Sequence, residues 1–214
     1  MRLSHRDGIM TTLIIARHGN TFGAGDTPTR VGLHTDLPLV EKGRAQAKAI
    51  GQYLKDNNMI PDVVYASTLK RTIETAEIAV KETGVSNPVF QLDIFNEIDY
   101  GPDENKVEAD VIARIGEQAI KDWDAHAIVP DGWKVDPNEI IQNWHDFAEQ
   151  IAAFDDNETI LVVTSNGIAR FAPYITGDFE SFSKEHDIKL STGALGVLEH
   201  KNGAWQYVSW NKKP

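Results

Sequence analysis

Two hydrophobic patterns alternate along the chain. Residues 12–16 and 160–163 are short apolar runs with the length of buried strands, whereas residues 41–57 carry apolar side chains at helical spacing. Alternation of this kind indicates an α/β fold, in which helices cover a mostly parallel sheet. The pattern therefore predicts a three-layer α/β/α architecture with a mostly parallel central sheet and an antiparallel edge strand.

The same two patterns predict the other elements. Strands are expected at residues 63–66, 89–92, 188–190, 194–199 and 205–208, and helices at residues 69–83, 107–123 and 138–154 and from residue 168 onward. The Asn202-Gly203 pair favours a tight hairpin between the last two strands. We expect residues 11–214 to form a single domain with a helical insertion around residues 106–137, preceded by a flexible extension over residues 1–10.

Composition narrows the classes of function. The 214 residues carry a formal net charge of −11 and no Lys/Arg cluster, which argues against nucleic acids and anionic membrane surfaces as partners. The chain has no cysteine, which excludes disulfides, thiolate metal sites and cysteine nucleophiles. No apolar run approaches membrane-spanning length and no signal-peptide pattern is present, so we expect a cytoplasmic protein. The sequence leaves the oligomeric state open, with a homodimer as one alternative.

Polar side chains follow the predicted strands at the point where each strand ends. Arg17 and His18 follow the first strand, Arg71 comes shortly after the second, Glu97 after the third, and Gly167 after the run at residues 160–163. Because ligands bind at the carboxyl ends of strands in open α/β sheets, we expect these groups to share one cleft. Arginines can clamp phosphoryl oxygens, an imidazole can attack phosphorus, and a carboxylic acid can protonate the leaving oxygen. This chemistry indicates a phosphoester substrate and requires neither a metal nor a cofactor.

Several segments resemble one known family. Residues 17–21, which read Arg-His-Gly-Asn-Thr, resemble the signature of the histidine phosphatase superfamily, which includes the cofactor-dependent phosphoglycerate mutases. Residues 38–47, 67–76 and 191–194 resemble further segments of the family, and residues 96–101 resemble its acid loop, especially that of the fructose bisphosphatase branch. The resemblance covers nearly all of the chain after residue 10, apart from residues 107–137, and implies a phosphoglycerate mutase-like fold.

The resemblance also implies roles for individual residues. By the matching positions, His18 would accept the phosphoryl group, and Glu97 would be the general acid and later the base for water. Arg17 and Arg71 would bind the phosphate, and the backbone of Gly167 would add a further phosphate contact. Four more residues are candidates for substrate contacts, namely Asn20, Thr21, His34 and Glu104.

One position departs from the family pattern. Members normally carry a second histidine in a Ser-His-Gly turn after the fourth strand, whereas this chain has Asn166. A histidinium donates a charged hydrogen bond to phosphate and an asparagine only a neutral one, a difference on the order of 1–2 kcal/mol. We therefore expect Asn166 to contact the phosphate and turnover to be weakened. A second departure is Ala24, which stands where many members carry a phosphate-contacting asparagine.

These observations predict a phosphomonoester phosphatase that acts through a phosphohistidine intermediate on a small phosphorylated substrate. Two alternatives stay open. One is a phosphotransferase of the phosphoglycerate mutase type, and the other is a catalytically impaired module that binds a phosphorylated ligand or a protein. The substrate stays open as well, because residues 107–137 have no counterpart in the family pattern.

Overall fold

The computed structural model describes residues 8–154 and 156–214. Within these residues the strands form one six-stranded sheet, made of β1 (Thr11–Arg17), β2 (Val63–Ala66), β3 (Val89–Gln91), β4 (Thr159–Thr164), β5 (Leu195–Lys201) and β6 (Ala204–Lys212). Their order across the sheet is β3-β2-β4-β1-β5-β6. The first four strands pair in parallel, whereas β5 is antiparallel to β1 and β6 is antiparallel to β5. The mostly parallel sheet is confirmed, with two antiparallel strands at one edge where the sequence predicted one.

Seven α-helices connect or follow the strands in the described residues. They are α1 (Glu41–Asp56), α2 (Lys70–Thr83), α3 (Glu108–Ile115), α4 (Glu117–His126), α5 (Pro137–Ala152), α6 (Asn166–Ala169) and α7 (Phe179–Glu185). Single 3₁₀ turns lie at Asp93–Phe95, Gly101–Asp103 and Ala172–Thr176. Helix α2 ends where Gly84 adopts a positive φ of 91°, as expected for a glycine at a helix C-terminus.

The strands supply side chains to both faces of the sheet. Leu13 and Ile15 of β1 are buried in one apolar cluster, and Ile14 and Ala16 in the other, because successive strand residues point to opposite faces. One cluster includes the apolar stripes of α1 and α2. The other includes Trp144 and its neighbours on α5. The three-layer α/β/α prediction is confirmed.

The central pairing of β1 with β4 brings two chain segments together at the carboxyl edge of the sheet. Arg17 lies opposite Thr164 in the parallel register. One residue further on, the backbone N–H of His18 donates to the carbonyl oxygen of Thr164 at 3.1 Å. The loop that follows β1 therefore begins beside the turn that opens α6.

The structure differs from the predicted elements at three places. Residues 107–123 do not form one helix, because Gly116 at a φ of 85° separates α3 from α4. Residues 188–190 are not a strand, since the backbone of Leu190 bonds to side chains of neighbouring segments. Helix α7 was not predicted at all. The predicted hairpin is confirmed, with positive φ at both Asn202 and Gly203.

The predicted N-terminal extension falls mostly outside the described part of the chain. Residues 1–7 are not described, and the backbone N–H of Met10 donates to Asn157 Oδ1 at 2.7 Å, just before β1 begins. The boundaries of the single domain and of its helical insertion stay a prediction. None of the helices in the described ranges combines the length and the apolarity that a bilayer span requires.

Helices α1 and α2 pack closely at Gly51, and this contact yields a prediction for stability. A Cβ at position 51 would overlap the carbonyl oxygen of Ala79 and lie 2.6 Å from Glu82 Cβ. Alanine normally stabilises a helix by about 1 kcal/mol relative to glycine. Overpacking against backbone outweighs that gain, so we expect Gly51→Ala to lower the free energy of unfolding by about 1–3 kcal/mol. Urea denaturation measures the difference.

The matched control for this substitution is Lys48→Ala, on the exposed side of the same helix. Exposed positions away from specific contacts tolerate such a change within about 0.5 kcal/mol. Stabilisation by Gly51→Ala would contradict the close approach of the two helices.

Candidate active site

A cavity of about 660 Å³ lies where the loops after β1 and β4 meet. Six of the predicted site residues line it, namely Arg17, His18, Asn20, Thr21, Glu97 and Asn166. The other four, Arg71, Gly167, His34 and Glu104, do not line it. The structure thus brings six of the ten predicted residues to one cavity, and the roles predicted for all ten stay predictions.

The imidazole of His18 is buried and held in one tautomer. Its Nδ1 lies 2.7 Å from the carbonyl oxygen of Gly19. A carbonyl oxygen only accepts hydrogen bonds, so we assign the ring proton to Nδ1, which leaves a lone pair on Nε2. Burial lowers the pKa of His18 well below 6.5, and the charges of Arg71 and Arg17 lower it further. The ring is therefore uncharged at neutral pH and can act as a nucleophile.

The backbone of Leu190 orients two side chains of the cavity at once. Its carbonyl oxygen accepts from Arg17 Nη1 at 2.7 Å, and its N–H donates to Asn166 Oδ1 at 2.9 Å. Because a backbone N–H must meet the oxygen of the amide, the NH₂ group of Asn166 is left as a donor for a ligand. Arg17 Nε is buried and has no hydrogen-bond partner in the described part of the chain. Both residues thus keep donors for an anion.

Arg71 is fully buried and acts on the site through its charge. Its two terminal nitrogens donate to the carbonyl oxygens of Thr35 and Gly32 at 2.8 and 3.1 Å. These bonds use two of the five N–H donors of the guanidinium, so the predicted contact of Arg71 with phosphate stays a prediction. Arg71 Nε has no partner in the described residues, and the positive charge still lowers the pKa of His18.

Glu97 and the turn at Gly167 are in direct contact. Glu97 Oε2 accepts from the Gly167 N–H at 3.4 Å, and Oε1 accepts from the N–H of Ile98 at 2.9 Å. A Cβ at position 167 would overlap Glu97 Oε1, so the approach requires glycine. Gly167 therefore positions the carboxyl group in this structure, whereas the sequence predicted that it would contact phosphate.

Two predicted substrate contacts lie elsewhere. Glu104 Oε1 accepts from the N–H groups of Gly32 and His34 at 3.0 and 3.1 Å and from Thr35 Oγ1 at 2.7 Å. It therefore braces the loop whose carbonyl oxygens hold Arg71. The side chain of His34 is 62% exposed, and its Nε2 lies 3.1 Å from Asp99 Oδ2, so its hydrogen-bond partner lies outside the cavity.

Close backbone packing fixes the loop after His18. The N–H of Asn20 donates to Gln46 Oε1 at 2.8 Å, and a Cβ at Gly19 would overlap the carbonyl oxygen of Gly43 on α1. The N–H of Gly19 donates to Thr75 Oγ1 at 3.1 Å on α2. The first two helices thus hold the loop that carries Asn20 and Thr21 to the cavity wall.

Sequence reasoning missed most of the cationic lining. Four further basic side chains line the cavity, namely Arg30, Lys42, Arg170 and Lys189, together with Tyr100, Trp123, Asp124 and Glu108. Burial raises the pKa of Tyr100, so its hydroxyl stays protonated. Arg170 had a sequence signal, since it follows Asn166 by one helical turn. The lysines had none, because folding brings them from other segments: Lys42 lies in the first turn of α1, and Lys189 in the segment before β5.

In the described ranges, no group of three or more His, Asp or Glu side chains is arranged to hold a metal ion. Two acidic residues of the cavity are instead paired with cations: Glu108 Oε2 contacts Arg30 Nη2 at 2.7 Å, and Asp124 Oδ2 contacts Lys189 Nζ at 3.0 Å.

An α/β sheet whose carboxyl edge carries an uncharged histidine, an arginine and a carboxyl group defines a histidine-centred anion site. The sequence model described as histidine phosphatase superfamily (branch 1) matches residues 13–213. The chain therefore belongs to the histidine phosphatase superfamily.

Curated relatives of the chain carry mutase names. It is 33% identical over 194 residues to the 2,3-bisphosphoglycerate-dependent phosphoglycerate mutase of Arthrobacter sp. (strain FB24), across 89% of this chain and 73% of that protein. It is 36% identical over 118 residues to the enzyme of the same name from Tropheryma whipplei (strain Twist), across 53% of this chain and 51% of that protein. The chain thus spans about half the length of several curated relatives that it matches.

Solved structures with the same fold carry phosphatase names. The mycobacterial glucosyl-3-phosphoglycerate phosphatase superposes with a TM-score of 0.75 at 19% identity, over 94% of this chain and 99% of that one. The alpha-ribazole phosphatase of Shigella flexneri superposes with a TM-score of 0.71 at 20% identity, over 94% of this chain and 96% of that one. These likenesses confirm the phosphoglycerate mutase-like fold.

The burial of His18 yields a prediction for its titration. We expect its ring to protonate well below pH 6.5, because burial and the two arginines disfavour the imidazolium. The unfolded chain binds this proton near pH 6.5, so His18 lowers the stability of the folded state as the pH falls through that value. NMR titration of the ring carbons, assigned by loss of the signal in His18→Asn, measures the pKa. Protonation at or above pH 6.5 would contradict the assignment.

Proposed function

We propose that the protein is a phosphomonoester phosphatase that acts through a phosphohistidine intermediate on His18. One observation carries the proposal: the Gly19 carbonyl holds the proton of the ring on Nδ1 at 2.7 Å, and the residue lines a cavity together with Arg17 and Glu97. An uncharged imidazole with a free Nε2 is a nucleophile, and the guanidinium of Arg17 provides a donor for the phosphoryl oxygens.

In the first step, His18 Nε2 attacks the phosphorus of the bound monoester. A P–N bond forms as the bond between phosphorus and the ester oxygen breaks. The leaving oxygen takes the proton of the Glu97 carboxyl group and departs as an alcohol. The contact of Glu97 with the N–H groups of Gly167 and Ile98, at 3.4 and 2.9 Å, holds this carboxyl group in place.

In the second step, the Glu97 carboxylate takes a proton from water. The water oxygen attacks phosphorus, the P–N bond breaks, and its electron pair returns to Nε2. Inorganic phosphate leaves, and both His18 and Glu97 are restored to their starting states.

The negative charge of the phosphoryl group is met by arginine and amide donors. Arg17 Nε is unpartnered in the described residues, and the Asn166 amide group is left free by its bond to Leu190 at 2.9 Å. Asn166 supplies a neutral donor where a histidinium would supply a charged one, which supports weakened turnover. Loss of a transition-state donor altogether costs roughly 100- to 1000-fold in rate.

A phosphoglycerate mutase-type phosphotransferase is the second candidate. The observation that favours it is the name shared by the curated relatives, among them the Arthrobacter protein at 33% identity over 89% of this chain. A mutase returns the phosphoryl group from His18 to a substrate hydroxyl, whereas a phosphatase transfers it to water. The cavity residues that we assign to the first step would serve both reactions.

We expect His18→Ala to abolish turnover of p-nitrophenyl phosphate and Asn166→His to raise it by about tenfold or more. The alanine removes the nucleophile, and the histidine adds a charged donor worth on the order of 1–2 kcal/mol. Release of p-nitrophenol measures both effects. His145→Ala serves as the matched control, since that exposed residue of α5 does not line the cavity.

The same assay separates the catalytic proposal from an impaired binding module. Turnover that His18→Ala leaves unchanged would contradict the proposal. Wild-type protein that binds vanadate or phosphate without any turnover, and forms no phosphohistidine after acid-free trapping with a labelled monoester, would establish the impaired module.

We expect phosphate release to dominate over transfer when both reactions compete. With 3-phosphoglycerate and 2,3-bisphosphoglycerate present together, ³¹P NMR follows inorganic phosphate and 2-phosphoglycerate in one sample. The phosphatase proposal requires inorganic phosphate as the main product. Faster formation of 2-phosphoglycerate, lost in His18→Ala, would establish the mutase.

A further inference from the structure

Arg170 is a buried cation that the two-step reaction does not use. The residue is 1% exposed and lines the cavity. Its Nε donates to the carbonyl oxygen of Asn166 at 3.2 Å, and its Nη1 donates to the carbonyl oxygen of Trp123 at 2.7 Å. The remaining nitrogen, Nη2, makes no hydrogen bond within the described ranges. Its nearest carboxylate oxygen is Asp124 Oδ1 at 3.8 Å, which is too long for a hydrogen bond.

Asp124 is committed to a different cation. Its Oδ2 lies 3.0 Å from Lys189 Nζ, and both side chains are partly exposed, at 34% and 44%. Arg170 is therefore more buried than Lys189 but lies farther from the carboxylate of Asp124. A buried charge is costly unless an opposite charge and hydrogen bonds compensate it, so Arg170 is under-neutralised. Burial accordingly lowers its pKa.

The other ion pair of the cavity shows the contrast. Both guanidinium groups lie over an aromatic ring, Arg30 at 5.1 Å from the ring centre of Trp133 and Arg170 at 4.3 Å from that of Trp123, so the contrast lies in the carboxylate alone. Arg30 Nη2 contacts both carboxylate oxygens of Glu108, at 3.0 and 2.7 Å. This cation is already neutralised by a close partner. An incoming anion gains more from Arg170 and Lys189 than from Arg30.

We propose that Arg170 and Lys189 form a second anion subsite, which Asp124 occupies as an internal counterion until a ligand replaces it. The inference rests on the proposed function and names its substrate class. The substrate is a small phosphomonoester that carries a second oxyanion group, either a carboxylate or a second phosphate. That group lies against Arg170 Nη2 and Lys189 Nζ while the scissile phosphate lies at His18.

The position of Arg170 supports a substrate that spans both sites. Its Nε bonds to the backbone of Asn166, whose side chain faces the phosphate site. The charges of Glu97 and Arg17 also act on Arg170, which places all three in one electrostatic environment. A cavity of about 660 Å³ accommodates a metabolite-sized ligand with two anionic groups.

The test uses two pairs of ligands that differ in the second anionic group alone. 3-Phosphoglycerate carries a carboxylate where glycerol 3-phosphate carries a hydroxymethyl group. Fructose 1,6-bisphosphate carries a second phosphate where fructose 6-phosphate carries a hydroxyl group. Isothermal titration calorimetry measures the ratio of the two dissociation constants within each pair. The protein carries His18→Ala, so that no turnover occurs during the titration. If thermal melting shows that the His18→Ala protein does not fold, His18→Asn is used instead.

We expect the ligand with two anionic groups to bind more tightly in at least one pair. Adding Lys189→Gln lowers this preference by about 10-fold, because the second anionic group loses a charge-assisted hydrogen bond. Adding Asp124→Asn raises it several-fold, because the internal competitor loses its charge. The replacement of Asp124 by the second anionic group therefore predicts that Lys189→Gln and Asp124→Asn change the binding preference in opposite directions.

Two control substitutions isolate the subsite. Lys42→Gln removes a positive charge from the same cavity, and Lys201→Gln removes one from the exposed end of β5. A general electrostatic effect of the cavity makes Lys42→Gln act like Lys189→Gln, and that outcome overturns the proposal. The proposal is also overturned if neither Asp124→Asn nor Lys189→Gln changes the ratio of dissociation constants in either ligand pair. If one pair alone responds, that pair identifies the second group as carboxylate or phosphate.

Failure of the subsite and failure of the proposed function are distinguishable. The binding ratios do not depend on turnover, so opposite shifts in a protein without phosphatase activity support the subsite and contradict the function. Phosphatase activity that depends on His18, combined with unchanged binding ratios, supports the proposed function and contradicts the subsite.

Discussion

The hydrogen bond from the His18 N–H to the Thr164 carbonyl, at 3.1 Å, is the constraint on which the rest of the site depends. It continues the parallel register of β1 and β4 by one residue beyond Arg17, so two segments far apart in the chain leave the sheet side by side. Because β4 is central, its turn into α6 places Asn166 and Gly167 next to the loop after β1. A shift of register would separate the imidazole from its neighbours and leave buried strand residues on the wrong face.

Backbone groups, more than side-chain pairs, orient the groups of the cavity. The Gly19 carbonyl sets the tautomer of His18, Leu190 holds Arg17 and Asn166, and the Gly167 N–H holds Glu97. These acceptors and donors belong to the rigid sheet edge and its turns, and they do not titrate. The geometry of the site therefore depends on the fold rather than on the ionisation of neighbouring residues.

The sequence predicted the sheet, its main helices and the position of the cavity, because periodicity and strand ends are local signals. It could not predict contacts that arise from segments brought together only by folding. Residues 188–190 have the composition of a strand, yet Leu190 bonds to Arg17 and Asn166 instead of to a neighbouring strand. Glu104 was assigned to the substrate from a local match, but three donors of the loop at residues 32–35 occupy its Oε1. The net charge of −11 describes the whole surface and conceals the basic lining of one cavity.

Asn166 has a consequence for how the pocket responds to acidification. Among the cavity-lining residues in the described ranges, His18 is the sole histidine, and burial keeps it uncharged through neutral pH. A second imidazole opposite it would gain charge between about pH 8 and pH 5, and would strengthen anion binding over that range. An amide carries no such proton. Acidification through the physiological range therefore adds no positive charge at position 166, where the family pattern would add one.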